Sequence, residues 1–553
     1  MKKYLKLFEY HSQYEDFVSG GTMIKPNVSE CVQEGDVHYN PYSWADEYLT
    51  FDALEDGTFT FTLNKEVSTD EVQSISYSLD GGENWVTTDN INNQIVTITT
   101  PIISRGNSVL WKGNANKLGK ISSISEGVPL GATIISSTSS FNAKGNIMSL
   151  LYGDEYKNKI DLSNKDHCFW YLFKDCTGLI SAENLILPAT TLAEYCYYYL
   201  FNNCTNLTTV PELPATIMIE ACYDCMFYGC ATLTVPPKLP STTLANGCYR
   251  SMFRGCTSLT VAPVLPATTL ASYCYSHMFA DCTNLTTAPE LPSATMFYSC
   301  YSSMFYGCTS LTTPPKLPAT TLDQICYSNM FQNCTSLTTA PELPATILPA
   351  GTDYSGVYSS MFRGCTSLTK APELPAITLT NRCYQYMFSG CTSLTTAPEL
   401  PATTLASSCY NNMFQDCTSL TTAPELSATT LASSCYGYMF QGCTNLTTAP
   451  ALPATTLANT CYQSMFQGCT SLTTAPELSA TTLTNYCYRY MFSGCTNLNS
   501  ITCLATNISA TNCTNNWVSG VASTGTFTKA ASMTSWTTGV NGIPTGWTVQ
   551  DAA

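Results

Sequence analysis

Charge is scarce in this 553-residue chain: Asp, Glu, Lys and Arg together make up 11% of it. Cations are scarcer still, 23 Lys and Arg against 39 Asp and Glu, for a formal charge of −16. A surface so poor in positive charge is not built to neutralise a phosphate backbone, so nucleic acid is not an expected partner. The four histidines, His11, His38, His167 and His277, are scattered. There is no HExxH, no Gly-rich phosphate loop and no nucleophile–base spacing, so the chain is not expected to be an enzyme. No run of 18 apolar residues occurs, so no membrane span is expected. The opening MKKYLKLFEYHSQYEDF is broken by Lys6, Glu9 and His11 and lacks the apolar core of a signal peptide. The expected location is therefore the cytoplasm in which the chain is made, with release by lysis. What the sequence has instead is 44% hydrophobic residues, which is not the composition of a disordered chain.

The charge is also unevenly placed. Residues 1–160 hold 12 basic and 20 acidic side chains, residues 161–553 only 11 and 19. The drop coincides with a repeat of the form LPATTLASSCYxxMFxGCTSLTTAPE. Its Phe recurs at 173, 201, 227, 253, 279, 305, 331, 362, 388, 414, 440, 466 and 492. The step is 26 residues except for 28 at the first interval and 31 between Phe331 and Phe362, where ILPAGTDYSGV reads as a surface loop. In one copy, Cys409, Met413 and Cys417 fall at i, i+4 and i+8, which predicts a short helix. The Thr-rich, Pro-broken half that follows predicts an extended segment, with pairing confined to Leu-Thr-Thr because Pro424 and its equivalents lack a donor. A lone copy buries about five large side chains, worth roughly 8–15 kcal/mol gross. Ordering its backbone costs roughly 1–2 kcal/mol per residue. Copies must therefore stack. The expected fold class is an α/β solenoid, a leucine-rich-repeat superhelix of thirteen ~26-residue helix-plus-strand coils.

The pattern MFxGCTSLTTAPELPATTLA resembles the BspA-like, or Treponema-type, leucine-rich repeats, over residues 168–500. The resemblance implies a right-handed solenoid that serves adhesion or protein binding, usually on exported proteins.

Ahead of the repeat, YLTFDAL, GTFTFTL, SISYSLD, NWVTT, QIVTITT and NSVLWKG alternate in the manner of strands between turn residues. The expected domains are an arm over 1–43 that anchors the chain, an Ig-like β-sandwich over 44–145, the solenoid over 146–500 and a closing β cap over 501–553. SLDGGENW at 78–85 looks like an Asp-box, in which Asp80 would lock its own turn. A sialidase-like, carbohydrate-active enzyme is the remote alternative, disfavoured by the absence of an Arg cluster for an acid sugar. KPNVSECVQEGDVHYNP, the SxDGGxxW pair, GNIMSLLYGD and GIPTGWTV together resemble proteins of phages and prophages of gut Bacteroidetes. That resemblance implies a virion component, a head fibre or tail appendage. Its partners would be other virion proteins through the N-terminal segment and a glycan or protein of the bacterial surface. A homo-oligomer, such as a trimer, would fit. The rival reading is a BspA-like adhesin at the bacterial cell surface.

Of the 29 cysteines, thirteen sit three residues after the repeat Phe and twelve sit five before it, with Val357 replacing one. Val357 shows that the slot takes an apolar side chain, so the thiols read as core, with inter-coil disulfides or a metal as the alternatives. The one CxxC, Cys222–Cys225, lacks a second pair. No cofactor is expected. A column of Glu212, Glu290, Glu342, Glu373, Glu399, Glu425 and Glu477 is the one place a Ca²⁺-bridged ladder could form, against the simpler reading that the side chains splay into solvent. The copies differ most between Cys-Tyr and Met-Phe and just after Phe. Arg250, His277, Tyr228, Arg254, Arg363, Tyr386, Asn411, Tyr438, Arg489 and Tyr490 form the candidate recognition strip, since polar and aromatic side chains make adaptable contacts. Drift at unconstrained surface positions is the alternative.

Overall fold

In a computed structural model, residues 47–63, 73–90, 96–114, 124–125, 128–129, 134–349 and 356–552 are described. The N-terminal arm and most of the inserted loop after Ile347 lie outside them. The six strands read from alternation are all present: β1 (Leu49–Ala53), β2 (Phe59–Leu63), β3 (Gln73–Ser78), β4 (Val86–Asn90), β5 (Val96–Thr99) and β6 (Ser108–Gly113). A short hairpin follows, β7 (Ile124–Ser125) with β8 (Val128–Pro129), then β9 (Ile134–Ser137) and β10 (Phe141–Asn146). One sheet runs β11-β10-β1-β6-β3-β4, where β11 is Leu179–Ile186, and a second runs β5-β2-β9. They meet through rings: Phe51 of the first lies 5.5 Å from Phe59 of the second, and Trp111 lies 4.5 Å from Phe61.

β11 already belongs to the first repeat, and it pairs in parallel with β10. The front sheet therefore continues into the repeat stack, and Phe51 touches Phe173 at 6.0 Å, so both share one core.

The repeats themselves are not helical. Among the described residues α-helix is confined to one turn, α1 (Ser149–Tyr152). The predicted helix over Cys409–Cys417 is a chain of tight turns. The reason is visible in the backbone: Ser408, Asn412 and Asp416 have φ of 54°, 59° and 58°, and a left-handed residue at every fourth position forbids an α-helix. The amides divide their work. Asn411, Met413, Gln415 and Cys417 each donate three residues back within the coil, while Tyr410, Asn412, Phe414 and Asp416 each donate to a carbonyl 25 residues ahead, in the next coil, at 2.7–3.1 Å. The four-residue spacing that suggested a helix face still puts Cys409, Met413 and Cys417 inside, but Tyr410 and Phe414 join them, all at most 1% exposed.

The core is accordingly a set of columns. Phe388, Phe414 and Phe440 stack at 5.7 Å, and Tyr384, Tyr410 and Tyr436 at 5.9 Å. The extended half contributes little ladder, as the prolines foretold: isolated parallel bridges link Thr396, Thr422 and Thr448, and Thr404 to Thr430. Beyond the last recognised copy the same backbone recurs without its sequence. Asn512 and Asn516 are left-handed, and Phe492 N–H donates to Trp517 at 2.8 Å. Strands β12 (Ser500–Cys503), β13 (Thr526–Lys529) and β14 (Thr548–Asp551) then extend the stack in parallel.

Candidate recognition face

The variable residues lie on the turn side of each coil, around its central left-handed position. That position runs Tyr171, Tyr199, Cys225, Ser251, His277, Ser303, Asn329, Ser360, Tyr386, Asn412, Tyr438, Ser464 and Tyr490, with φ between 52° and 61°. It never holds glycine. Four residues later an outer left-handed position runs down the same stack and holds only Gly, Asn or Asp, for example Asp281, Gly307, Asn333 and Gly364.

The strip does not converge on one point. The predicted residues fall into stations along the stack. Arg250 is paired with the fully buried Asp224 at 2.6 Å, and Arg254 lies over the Tyr228 ring at 5.6 Å and 3.4 Å from Asp281. His277 is half-buried, its Nδ1 2.9 Å from Ser276 Oγ, and burial together with Arg254 and Arg250 pushes its pKa below the ordinary value. Further along, Arg363 covers the Tyr386 ring at 5.1 Å, and Arg489 covers Tyr490 at 4.9 Å. Asn411 is different: it is buried, accepts from Gln385 and donates to the Gly437 carbonyl. Tyr438 hydroxyl accepts from Gln463. Gln415, Gln441 and Gln467 hydrogen-bond one another in series at 3.0 and 3.2 Å, so this stretch is largely occupied with itself.

The opening coils carry side chains that the strip had not included. Trp170, Tyr171, Tyr198 and Tyr199 form an aromatic cluster, Tyr171 stacked on Tyr199 at 4.9 Å and Trp170 edge-on to Tyr198 at 5.3 Å. They sit at the same repeat positions as Gln385 and Tyr386, and an alignment of the copies that included the first two would have shown them. Asp224 was likewise at hand in Cys-Tyr-Asp-Cys. Desolvation outweighs the pull of Arg250 and raises its carboxyl to about 6.

The other candidates resolve into structural roles. The 28 described cysteines are all free and buried. In the column after Phe, each thiol from Cys204 onward donates back to the preceding coil, as Cys417 to the Phe388 carbonyl and Cys443 to that of Phe414, both at 3.1 Å. The column before Phe has no such constant bond, which is why Val357 can enter it. Burial pushes thiols such as Cys443 and Cys435 up to about 12, which removes the thiolate a nucleophile needs. Cys222 and Cys225 turn to different partners, Met218 and Asp224. The glutamates of the column are exposed, and no three His, Cys, Asp or Glu among the described residues are grouped as metal ligands. Asp80 accepts from Asn84 and Ser78, and the bonds from Asn84 lead in holding its carboxyl at about 2.

Against known families, the chain matches the BspA type leucine rich repeat region in six copies, over residues 170–312, 249–370, 302–473 and 407–533. The chain belongs to the BspA-type leucine-rich repeat family. No curated protein and no solved structure matches it. BspA-type repeats are those of surface adhesion-type proteins and are generally non-enzymatic. Among the described residues of this BspA-type chain, no helix is long and apolar enough to cross a membrane.

Proposed function

We propose that this chain is a non-enzymatic adhesion protein that offers its turn face to a ligand on a bacterial surface, a glycan or a protein, and that a bacteriophage virion carries it as a head fibre or tail appendage. In this reading residues 1–43 attach it to other virion proteins, 44–145 space it from them, the thirteen recognised coils of 146–500 wind into a displaying superhelix, and 501–553 close it. Trimeric assembly suits such an appendage.

The observation that carries the adhesion reading is the central left-handed column. An L-residue there costs roughly 1–2 kcal/mol of backbone energy, and glycine would remove that cost. Tyr199, His277, Tyr386, Tyr438 and Tyr490 are kept in spite of it, which is what a surface selected for its side chains looks like. The thiols favour the virion over an exported adhesin. That all 28 described cysteines are free and buried suits assembly in a reducing cytoplasm followed by release on lysis. The family match favours the second reading, a BspA-like adhesin of the bacterial cell surface.

Mass spectrometry of purified particles against outer-membrane fractions separates the two: the chain in particles supports the virion reading, and the chain in the membrane fraction alone overturns it. Adhesion is tested by binding of the purified full chain to intact host cells, and failure to bind any candidate host overturns it.

A further inference from the structure

The extended half of each coil carries one position that is charged in most copies and open to solvent in all. From coil to coil it holds Glu212, Lys238, Val264, Glu290 and Lys316, and then glutamate in four successive coils from Glu342 to Glu425. Val264 is 80% exposed, more than any other large hydrophobic residue described, and Val261 and Val235 in the adjoining threonine column are 59% and 67% exposed. Parallel bridges join Val261 to Thr287 and Thr287 to Thr313, so coils here are spaced by roughly 4.8 Å and the five positions span roughly 20 Å. Outward from Val264 the order is Lys then Glu on one side, and Glu then Lys on the other. Among the described residues none of these four charges takes part in an ion pair.

We infer that this face pairs with the same face of a second copy of the chain, the two stacks running antiparallel about a two-fold axis at Val264. A two-fold contact is self-complementary, so each residue must suit the one that the axis brings to it. This axis sets Val264 against Val264 of the second copy, Lys238 against Glu290 and Glu212 against Lys316, each charged pair occurring twice. In the next column Val261 meets its own copy and Val235 meets Thr287, with no charge to desolvate. Neighbouring registers fail: a shift of one coil sets Lys238 on Lys316 or Glu212 on Glu290, and parallel stacks in register set every charge on its own kind. An axis centred among the glutamates from Glu342 to Glu425 would set glutamate on glutamate. The aliphatic centre supplies the affinity, and the charges select the register. At least seven open or half-open positions in each of the five coils exceed the roughly 20–30 residues a side of a standard interface. The contact draws on the extended half alone, so it is separate from the candidate recognition face.

The repeats supply the variants, since each installs a residue that another coil carries at the same position: Val264→Glu and Lys238→Glu as at Glu290, and Glu290→Lys as at Lys316. The test is sedimentation equilibrium of the full chain over a range of concentrations. A reversible doubling of the mass, 60.1 kDa for a single chain, is expected. Val264→Glu should weaken the association at least about tenfold, and so should Lys238→Glu, which sets glutamate on glutamate at both symmetric contacts. Combining Lys238→Glu with Glu290→Lys restores opposite charges across the axis and should return the affinity to within about threefold of the parent. Within one chain that double variant leaves Glu212 and Lys316 each beside a like charge, so neighbours in the column cannot account for a rescue. The inference is overturned by a chain that shows no doubling at any concentration, by an oligomer, a trimer included, whose affinity these variants leave unchanged, or by a double variant that associates no better than Lys238→Glu alone. Unfolding midpoints equal to the parent's establish that a lost association is not a lost fold.

Discussion

Three columns of left-handed residues run down the same stack, four residues apart, and the central and the outer one are filled by opposite rules. The outer column obeys backbone economy and holds only Gly, Asn or Asp. The central column ignores it and holds Tyr, His, Ser, Cys and Asn. Both lie in the left-handed region, φ 52–61° in the central column and 56–78° in the outer one, so the backbone alone does not set the difference. It also reflects what the side chains face: the outer column packs coil on coil, so that a Cβ on Gly442 would meet Asp416 Oδ1 at 2.2 Å, whereas the rings of the central column after Tyr171 stay partly open to solvent.

That contrast can be broken at several points. The largest effect is expected in the outer column, where Gly442→Val adds a branched side chain at φ 73° against Asp416 and should lower stability by about 3 kcal/mol in urea unfolding. Asp224, one residue before the central column, should show itself through pH. Its folded pKa of about 6 lies above the ordinary 3.8, so the fold binds a proton that the unfolded chain has released. Stability from this group is therefore greatest below about pH 4 and is lost as pH rises through 6, by about 1–3 kcal/mol. Asp224→Asn should flatten that stretch of the stability–pH curve. The thiol columns allow a parallel comparison. Cys443→Val deprives the Phe414 carbonyl of its second donor and should cost about 1 kcal/mol more than Cys435→Val, whose column already tolerates Val357. The smallest effect belongs to the central column, where Tyr438→Ser exchanges lost ring contacts for the residue found at Ser464 and should move stability by less than about 1 kcal/mol.

The stacking, the buried Cys, Met, Phe and Leu positions and all six early strands were legible in the sequence, because periodicity and alternation report burial directly. The turn backbone was not. Cys409, Met413 and Cys417 repeat every four residues, and a helix and a chain of turns with a left-handed residue every four produce the same pattern of burial. The signal that separates them was the recurrent Gly, Asn or Asp before the second cysteine, as at Asp416 and Gly442, together with Asn412, whose residue types favour positive φ. The coil beyond Leu498 was hidden because Trp517 and Val518 stand where Met and Phe were sought, although Cys513 keeps the 26-residue step from Cys487. Of the candidate recognition face, the variable positions were readable, but the aromatic opening and Asp224 were not, since neither matches the common form of the repeat.

The amides that leave the turn half of each coil all point the same way, from Phe388 to Met413 and from Phe414 to Met439, and onward, while a few in the extended half, such as Thr447 to Thr421, run back. Peptide dipoles that agree in direction add, so the turn side of the stack has an electrical polarity, as a helix does. Its two ends are then chemically distinct: the first coil presents carbonyls and the last presents N–H groups. The first is met by the front sheet, where Ile135 donates to the Leu172 carbonyl, and the last by Asn541 and the Val540 carbonyl, which receive the Asn516 and Val518 amides. A shortened chain would need a terminus of the matching kind at each cut, and two such stacks could join head to tail but not head to head.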